Sequence, residues 1–356
     1  MNTSTTPLYV SDLDGTLLRP DGTLSAYSQT HLNQLISDGM LFSVATARST
    51  VSIRQILRDV HLSLPVVNLN GALLSDLHSG YHHALHALAP EQAQRLCECV
   101  ESLGHRPFVS VTDGQRDHLY YRGIYNEGMQ WFVDDRKRNG DQRLKKTNDV
   151  RRALEVHVLA LTVIAMNRGE IDALRDAVIA ECADSVQVHV FPNGYSTLGD
   201  VWLTVYDALA TKDRGIQLLA EYGGFSLNEL TVFGDGYNDV EMFEMAPRAI
   251  AVRGAVPAVA QLATERIGDA AEDSVVKYLQ KVHGSRAILN SAWVLRSSDA
   301  ISPFGMYVAH FLLRSACLNE CSYAKKHWGS TVSRNTIKRL KCVTLGWLRS
   351  ESIFRV

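Results

Sequence analysis

The chain has 356 residues, 46% of them apolar and 21% charged, with a formal net charge of -2. That length exceeds one ordinary domain and suits two compact units plus an appendage, and the near-neutral charge argues against nucleic acid or an anionic membrane surface as partner. The longest apolar run, FGMYVAHFLL at 304–313, is about half of a bilayer span, MNTSTTPLYV has neither a basic nor an apolar leader region, and the six cysteines form no pairing framework, so a cytoplasmic protein is expected.

Leu8 to Val10 reads as a minimal buried strand, and the following DLDGT is its exit. Ser25 is a good N-cap for a helix running to about Asp38, with Leu32, Leu35 and Ile36 on one face and Gly39 as its stop. LFSVAT (41–46) is the next strand, then helical SIRQILRDV, then strand-like PVVNLNG. This β-α-β-α-β rhythm implies a mostly parallel, doubly wound sheet of the Rossmann-like α/β class. Near residue 77 the rhythm changes. A helix from Pro90 to about Leu103 precedes strands RPFVSVT and HLYYRG, and after the charged run 134–152 come strand VHVLALTVIAM, helix EIDALRDAVIAEC and strand VQVHVF. The first rhythm then returns: Thr211 can cap a helix from Lys212 to the Gly223-Gly224 pair, and strand LTVFGD, helix NDVEMFEMA, strand RAIAV and two further helices follow.

The reading is a discontinuous core (1–76 and 195–284), an inserted α/β cap domain (77–194) and a C-terminal extension (285–356) of no assigned fold. The extension holds 11 Lys and Arg against 3 Asp and Glu, which leaves 25 against 35 in the rest of the chain. A basic tail on an acidic body suggests separate histories or a tail that lies against an acidic surface, the first being the simpler expectation.

Four polar groups fall at or just beyond strand ends, where open parallel sheets bind ligands. They are Asp12 with Asp14, Thr46, Lys212 at its helix start, and GDGYND with Asp235, Asn238 and Asp239. Several carboxylates around one ammonium repel one another unless a hard divalent cation joins them, and Mg²⁺ suits that set together with a substrate phosphate. One aspartate can attack phosphorus, and a second can protonate the leaving alkoxide and later activate water. Metal, lysine and hydroxyl would neutralise the transferring group, with backbone N–H groups of Gly15 and Thr16 as further donors.

DLDGTLL, VATAR, Lys212 in ATKDRGIQLL and GDGYND resemble the four motifs of the haloacid dehalogenase superfamily. Their order and spacing are similar to its Cof-like phosphatase branch, as is NLNGALL at 68–74, and the likeness covers roughly residues 7–282. The resemblance implies Asp12 as nucleophile and metal ligand, and Asp14 as general acid/base that also lends the metal its carbonyl. It further implies Thr46 on the phosphoryl group, Lys212 bridging that group to Asp12, and Asp235 as the remaining direct ligand, with Asn238 and Asp239 in support. Ala47 stands where the branch usually has Gly.

The expected activity is Mg²⁺-dependent hydrolysis of a small phosphorylated metabolite through an aspartyl phosphate. A phosphotransferase or phosphomutase is the enzymatic alternative, and a catalytically silent metabolite- or partner-binding module is the alternative from another class. Arg48 is a candidate phosphate contact, with a solvated charge as the plainer reading. Asn70 and Gly71 read equally well as substrate contacts or as a tight turn. The charge run 134–152 could supply cationic groups for a phosphorylated substrate, with a solvated face or mobile loop as the plainer reading. His82, His83 and His86 resemble a metal cluster by composition but, without a carboxylate or Cys partner, read as surface residues near the cap junction. Cys317 and Cys321, with His310 and His327 nearby, fit no zinc spacing.

Overall fold

All four residues of the first strand, β1 (Leu8–Ser11), are buried, the pattern of a parallel strand covered on both faces. The structure, a computed structural model, describes residues 6–182 and 185–284. After β1 come α1 (Ala26–Ser37), β2 (Leu41–Val44), α2 (Thr50–Ile56), β3 (Val66–Asn68), β4 (Leu73–Ser75) and β5 (His82–Leu85). The chain continues through α3 (Pro90–Ser102), β6 (Phe108–Thr112), β7 (Asp117–Tyr121), α4 (Glu127–Arg138), β8 (Leu144–Lys146), β9 (His157–Ala165), α5 (Arg168–Cys182), β10 (Val186–Pro192) and β11 (Val201–Asp207). It closes with α6 (Lys212–Gly223), β12 (Thr231–Gly234), α7 (Val240–Met245), β13 (Arg248–Ala251), α8 (Pro257–Leu262) and β14 (Glu265–Arg266), followed by helical residues from 274.

Helix boundaries follow local chemistry. The Ser25 hydroxyl accepts from the Ser28 N–H at 2.9 Å and starts α1, which ends before Gly39 at φ +91°. Helix α6 starts at Lys212 and stops at Gly224, which takes the left-handed conformation. The Thr211 hydroxyl donates to Asp213 rather than accepting from the helix, so Thr211 holds the cap position through its extended backbone alone.

Five strands form a parallel sheet in the order β14-β13-β12-β1-β2. Its core brings Leu8, Val10, Val232 and Ala249 against Ile216, Leu219, Met242 and Phe243 of the helices. The chain builds outward from β1 through β2, then returns to place β12 on β1's other side. The β1–β12 boundary is therefore the switch point, and the Ser11–Phe233 register sets Asp12 and Asp235 just past two adjacent strand ends.

Strands β3, β4 and β5 form a small antiparallel sheet, joined to the parallel one by an Ala45–Val67 bridge. A second large sheet has the order β10-β11-β9-β6-β7-β8, antiparallel except for β7–β8. Helices α3 and α5 cover one face, where Leu96, Ile171 and Leu174 meet Val111 and Leu161. Alternation along β6 turns Phe108 to the opposite face, where it packs with Met129 and Phe132 of α4. Leu159 and Tyr206 of this sheet pack on Leu69, Ala72 and Leu73, which ties it to the smaller sheet.

The sheets do not change over at residues 76/77 and 194/195. Strand β5 stays with β4, and β11 lies between β10 and β9, because the seven residues of β10 pair with those of β11 as a hairpin. No helix among the described residues is long and apolar enough to cross a membrane. The basic segment 285–356, with its cysteine and histidine spacings, lies outside the described residues.

Candidate active site

Asp12 leaves β1 with its N–H donating to Phe233 O at 2.9 Å, so the strand ladder itself holds the carboxylate beside β12. Lys212, whose side chain is wholly buried, reaches Asp12 Oδ1 at 2.9 Å and Asp239 Oδ1 at 2.6 Å. Asp239 spends its other oxygen on the N–H groups of Asp235 and Gly236, both at 2.8 Å. Its role is thus to fold the GDGYND loop and to fix the ammonium. Burial alone would depress the lysine, but Asp12 and Asp239 outweigh it and hold Lys212 above the ordinary lysine range.

Asp235 is oriented by the Thr16 hydroxyl, which donates to Oδ1 at 2.6 Å. Gly15 makes that contact possible. It sits at φ +77°, and a Cβ there would lie 2.4 Å from Asp235 Oδ2. Gly15→Ala is expected to weaken divalent-cation binding and turnover together, by about 100-fold in kcat/KM, while the protein stays folded. Titration calorimetry with Mg²⁺ beside steady-state kinetics checks this.

Oxygens of Asp12, Asp235 and Asp239 lie within 4.8 Å of one another. Four carboxylates, counting Asp14, face two cations, Lys212 and Arg48, so the site is short of about two positive charges. Burial pushes Asp12 well up, with Asp239, Asp235 and Asp14 adding to it against Lys212. Asp235 is pushed up to about 6, burial outweighing its Thr16 hydrogen bond. A hard divalent cation would supply the missing charge, and this all-oxygen donor set fits Mg²⁺. Because both oxygens of Asp239 are already used, Asp12 and Asp235 are the side chains left to hold it.

Thr46 follows β2 and is buried, and its hydroxyl accepts from the Arg48 N–H at 3.2 Å. Ala47 is not among the residues with positive φ, so its methyl strains no backbone at this loop. Asn70, in the left-handed region at φ 54°, donates its N–H to Thr46 O at 2.9 Å and accepts from Asn238 Nδ2 at 3.0 Å. Gly71 has a steric reason: a Cβ there would meet Thr211 O at 2.1 Å. The Asn70–Gly71 turn therefore binds the Thr46 loop, the start of α6 and the Asn238 loop to each other.

A family model described as haloacid dehalogenase-like hydrolase matches residues 9–279, from β1 to the last described helix. The chain belongs to that hydrolase family. It is of the Cof type that the motif order led us to expect. It is 26% identical over 284 residues to the 5-amino-6-(5-phospho-D-ribitylamino)uracil phosphatase of Bacillus subtilis, covering 77% of this chain and 96% of that one. It is also 26% identical to the HMP-PP phosphatase of Cronobacter sakazakii, over 75% and 92% of the two chains. A haloacid dehalogenase-like hydrolase from Bacteroides thetaiotaomicron shares the fold at a TM-score of 0.65 and 19% identity, covering 78% of this chain and all of that one.

In this hydrolase Asp14 is not free. Arg48 donates to both its oxygens, Nη2 at 2.6 Å and Nε at 2.7 Å, and the Tyr195 hydroxyl donates to Oδ1. Burial would raise Asp14, but these contacts outweigh it and hold the carboxyl below the ordinary aspartate range. Arg48 is thus no solvated charge: it also donates to Ser52 at 3.0 Å and to the Tyr195 oxygen at 3.1 Å.

Tyr195 escaped sequence reasoning, because a tyrosine in a glycine-containing turn carries no signal of its target. It sits on the β10–β11 loop, and only the pairing of those strands carries it to Asp14. His189 of β10 was likewise unmarked. Its Nε2 is buried without a partner among the described residues, and burial with Lys212 nearby lowers it to about 4, so it is neutral. His82 is not a plain surface residue: Nδ1 meets Ser75 at 2.8 Å and Nε2 meets Asp117 at 2.9 Å, joining β5 to β7.

A pH dependence follows for the metal-free hydrolase. With Asp235 raised from 3.8 to about 6, the folded state holds a proton that the unfolded chain releases. Stability contributed in this way is present at low pH and is lost as pH rises through that window. Asp14, shifted downward, acts below the window. Metal-stripped protein is expected to melt several degrees higher at pH 5 than at pH 7, with Mg²⁺ reversing the order, as thermal unfolding at the two pH values checks.

Proposed function

We propose that the hydrolase is a Mg²⁺-dependent phosphatase of small phosphorylated metabolites, acting in the cytoplasm through an aspartyl phosphate on Asp12. The observation that carries this reading is the Asp12–Lys212 pair beside Asp235 at the sheet's switch point. A carboxylate placed to attack, a fixed ammonium and a pair of carboxylates able to hold a metal converge there. The phosphatase names of the relatives in Bacillus subtilis and Cronobacter sakazakii support the reaction class.

Asp12 Oδ attacks phosphorus while Lys212 steadies the carboxylate and the incoming phosphoryl oxygens. Thr46 offers its hydroxyl to the same group, and backbone N–H groups of the Gly15–Thr16 turn offer further donors. Mg²⁺, when bound by Asp12, Asp235 and the Asp14 carbonyl, supplies the charge that lets Asp12 stay ionised and the transferring group lose its repulsion. Asp14, ionised beside Arg48, is set to take a proton from the water that hydrolyses the intermediate. Protonating the leaving oxygen in the first step needs Asp14 neutral, so an incoming substrate must first displace Tyr195 or Arg48. The six-stranded sheet then serves as the cap, with changeovers near residues 86 and 208, and Tyr195 is the residue it sets against Asp14.

The test is phosphate release from a panel of metabolite monoesters, including sugar phosphates, nucleotides and phosphorylated cofactor precursors. We expect turnover of at least one small ester, lost by about 100-fold or more on chelation and restored by Mg²⁺. Activity unchanged by chelation would remove the metal from the mechanism.

A further inference from the structure

Between α2 and β5 on one side and β7 and β8 on the other lies a crevice of about 660 Å³. Arg54 and Thr50 stand on the first wall, Arg116, Arg143 and Lys145 on the second. Its one carboxylate, Asp117, is already bonded to His82 at 2.9 Å. Arg143 is bound by both its Nε and Nη2 to Asp141, at 2.9 and 2.6 Å. Arg54, Arg116 and Lys145 have no carboxylate partner among the described residues, and they come from both walls. Arg54 is nonetheless held in place, its Nε donating to Leu77 O at 2.7 Å.

Charge accumulates further inside. Arg136, behind Arg143, stacks on the Phe132 ring, and its buried Nε has no partner among the described residues. Burial together with Arg143 and Arg48 pushes it down, as expected where cations crowd one region. Cations of one sign facing each other across a crevice repel when it is empty and focus an anion into it. An anion seated between them turns that repulsion into charge-assisted contacts to both walls.

We infer that this crevice is a binding site for a second anionic group, a phosphate or carboxylate, apart from the phosphoryl group at Asp12. Its core wall is α2, which starts two residues after Arg48, so it lies next to the loop that carries the reaction centre's guanidinium. The anion is either the far end of the substrate or a separate effector that draws the two walls together. The anion binding stands on the crevice itself; only its link to turnover rests on the phosphatase reading.

Inorganic pyrophosphate is the probe, titrated calorimetrically into the full-length, metal-free protein. Without metal the carboxylate cluster at Asp12 repels anions, so the titration reports the crevice. The Arg116→Ala/Lys145→Ala variant, altered at two exposed positions, is expected to lose affinity at least about tenfold while melting like wild type. Asp12→Asn is expected to keep it. No binding by wild type, or equal binding by wild type and the double variant, overturns the inference. Kinetics separate the two sources. If the anion is the substrate's far end, the double variant raises KM for a sugar bisphosphate but not for p-nitrophenyl phosphate. If it is an effector, pyrophosphate changes kcat for p-nitrophenyl phosphate in wild type and not in the variant. Pyrophosphate binding without hydrolysis of any ester would sink the phosphatase reading and leave the anion site standing.

Discussion

Lys212→Ala is expected to abolish turnover and to destabilise the fold by about 3–5 kcal/mol, the cost of leaving buried carboxylates without their cation. The side chain has no exposed surface, and it is the ion-pair partner of both Asp12 and Asp239. Asp239 cannot turn away from the lost ammonium, because its other oxygen holds the Asp235 and Gly236 N–H groups. Urea unfolding should show a lower midpoint at unchanged slope, and Mg²⁺ should recover part of the loss by serving Asp12. Wild-type stability in the variant would mean that the ammonium does not compensate these carboxylates.

Asp12→Asn separates chemistry from folding in the opposite way. The amide keeps the size of the side chain but is no nucleophile, so kcat should fall by about 10⁴-fold or more. The same change removes one charge from a cluster in which burial and three other aspartates already push Asp12 up. The metal-free variant should therefore melt at or above the wild-type temperature, the usual sign of a residue kept for function at a cost in stability. Residual activity within about tenfold of wild type would rule Asp12 out as the attacking group.

Much of this architecture was legible because the signals are local. Strands β1 and β2 are short, mostly apolar runs, Ser25 is an N-cap that any helix start can use, and Gly224 is a left-handed stop. Strand β11 was not legible. Val201–Asp207 gains its identity by pairing with β10 on one side and β9 on the other, and only long-range hydrogen bonds decide that. Helix α4 was hidden because its second half enters the charge run that begins at 134, and only Met129, Phe132 and Val133 bring large apolar side chains to its buried face.

The candidate site divides along the same line. DLDGT, VATAR, Lys212 and GDGYND already state which candidate polar groups the chain carries and in what order, because strand ends of a parallel sheet converge wherever the rhythm is β-α-β. The resemblance already implied Lys212 beside Asp12, but the partners of Asp14 are settled only by packing. Lys212 joins Asp12 to Asp239, Arg48 takes both oxygens of Asp14, and Tyr195 arrives at the same carboxylate from another sheet. Charge type is a property of residues, but ion pairing depends on distances of a few ångströms in a low-dielectric interior, and those distances exist only once the two sheets have met.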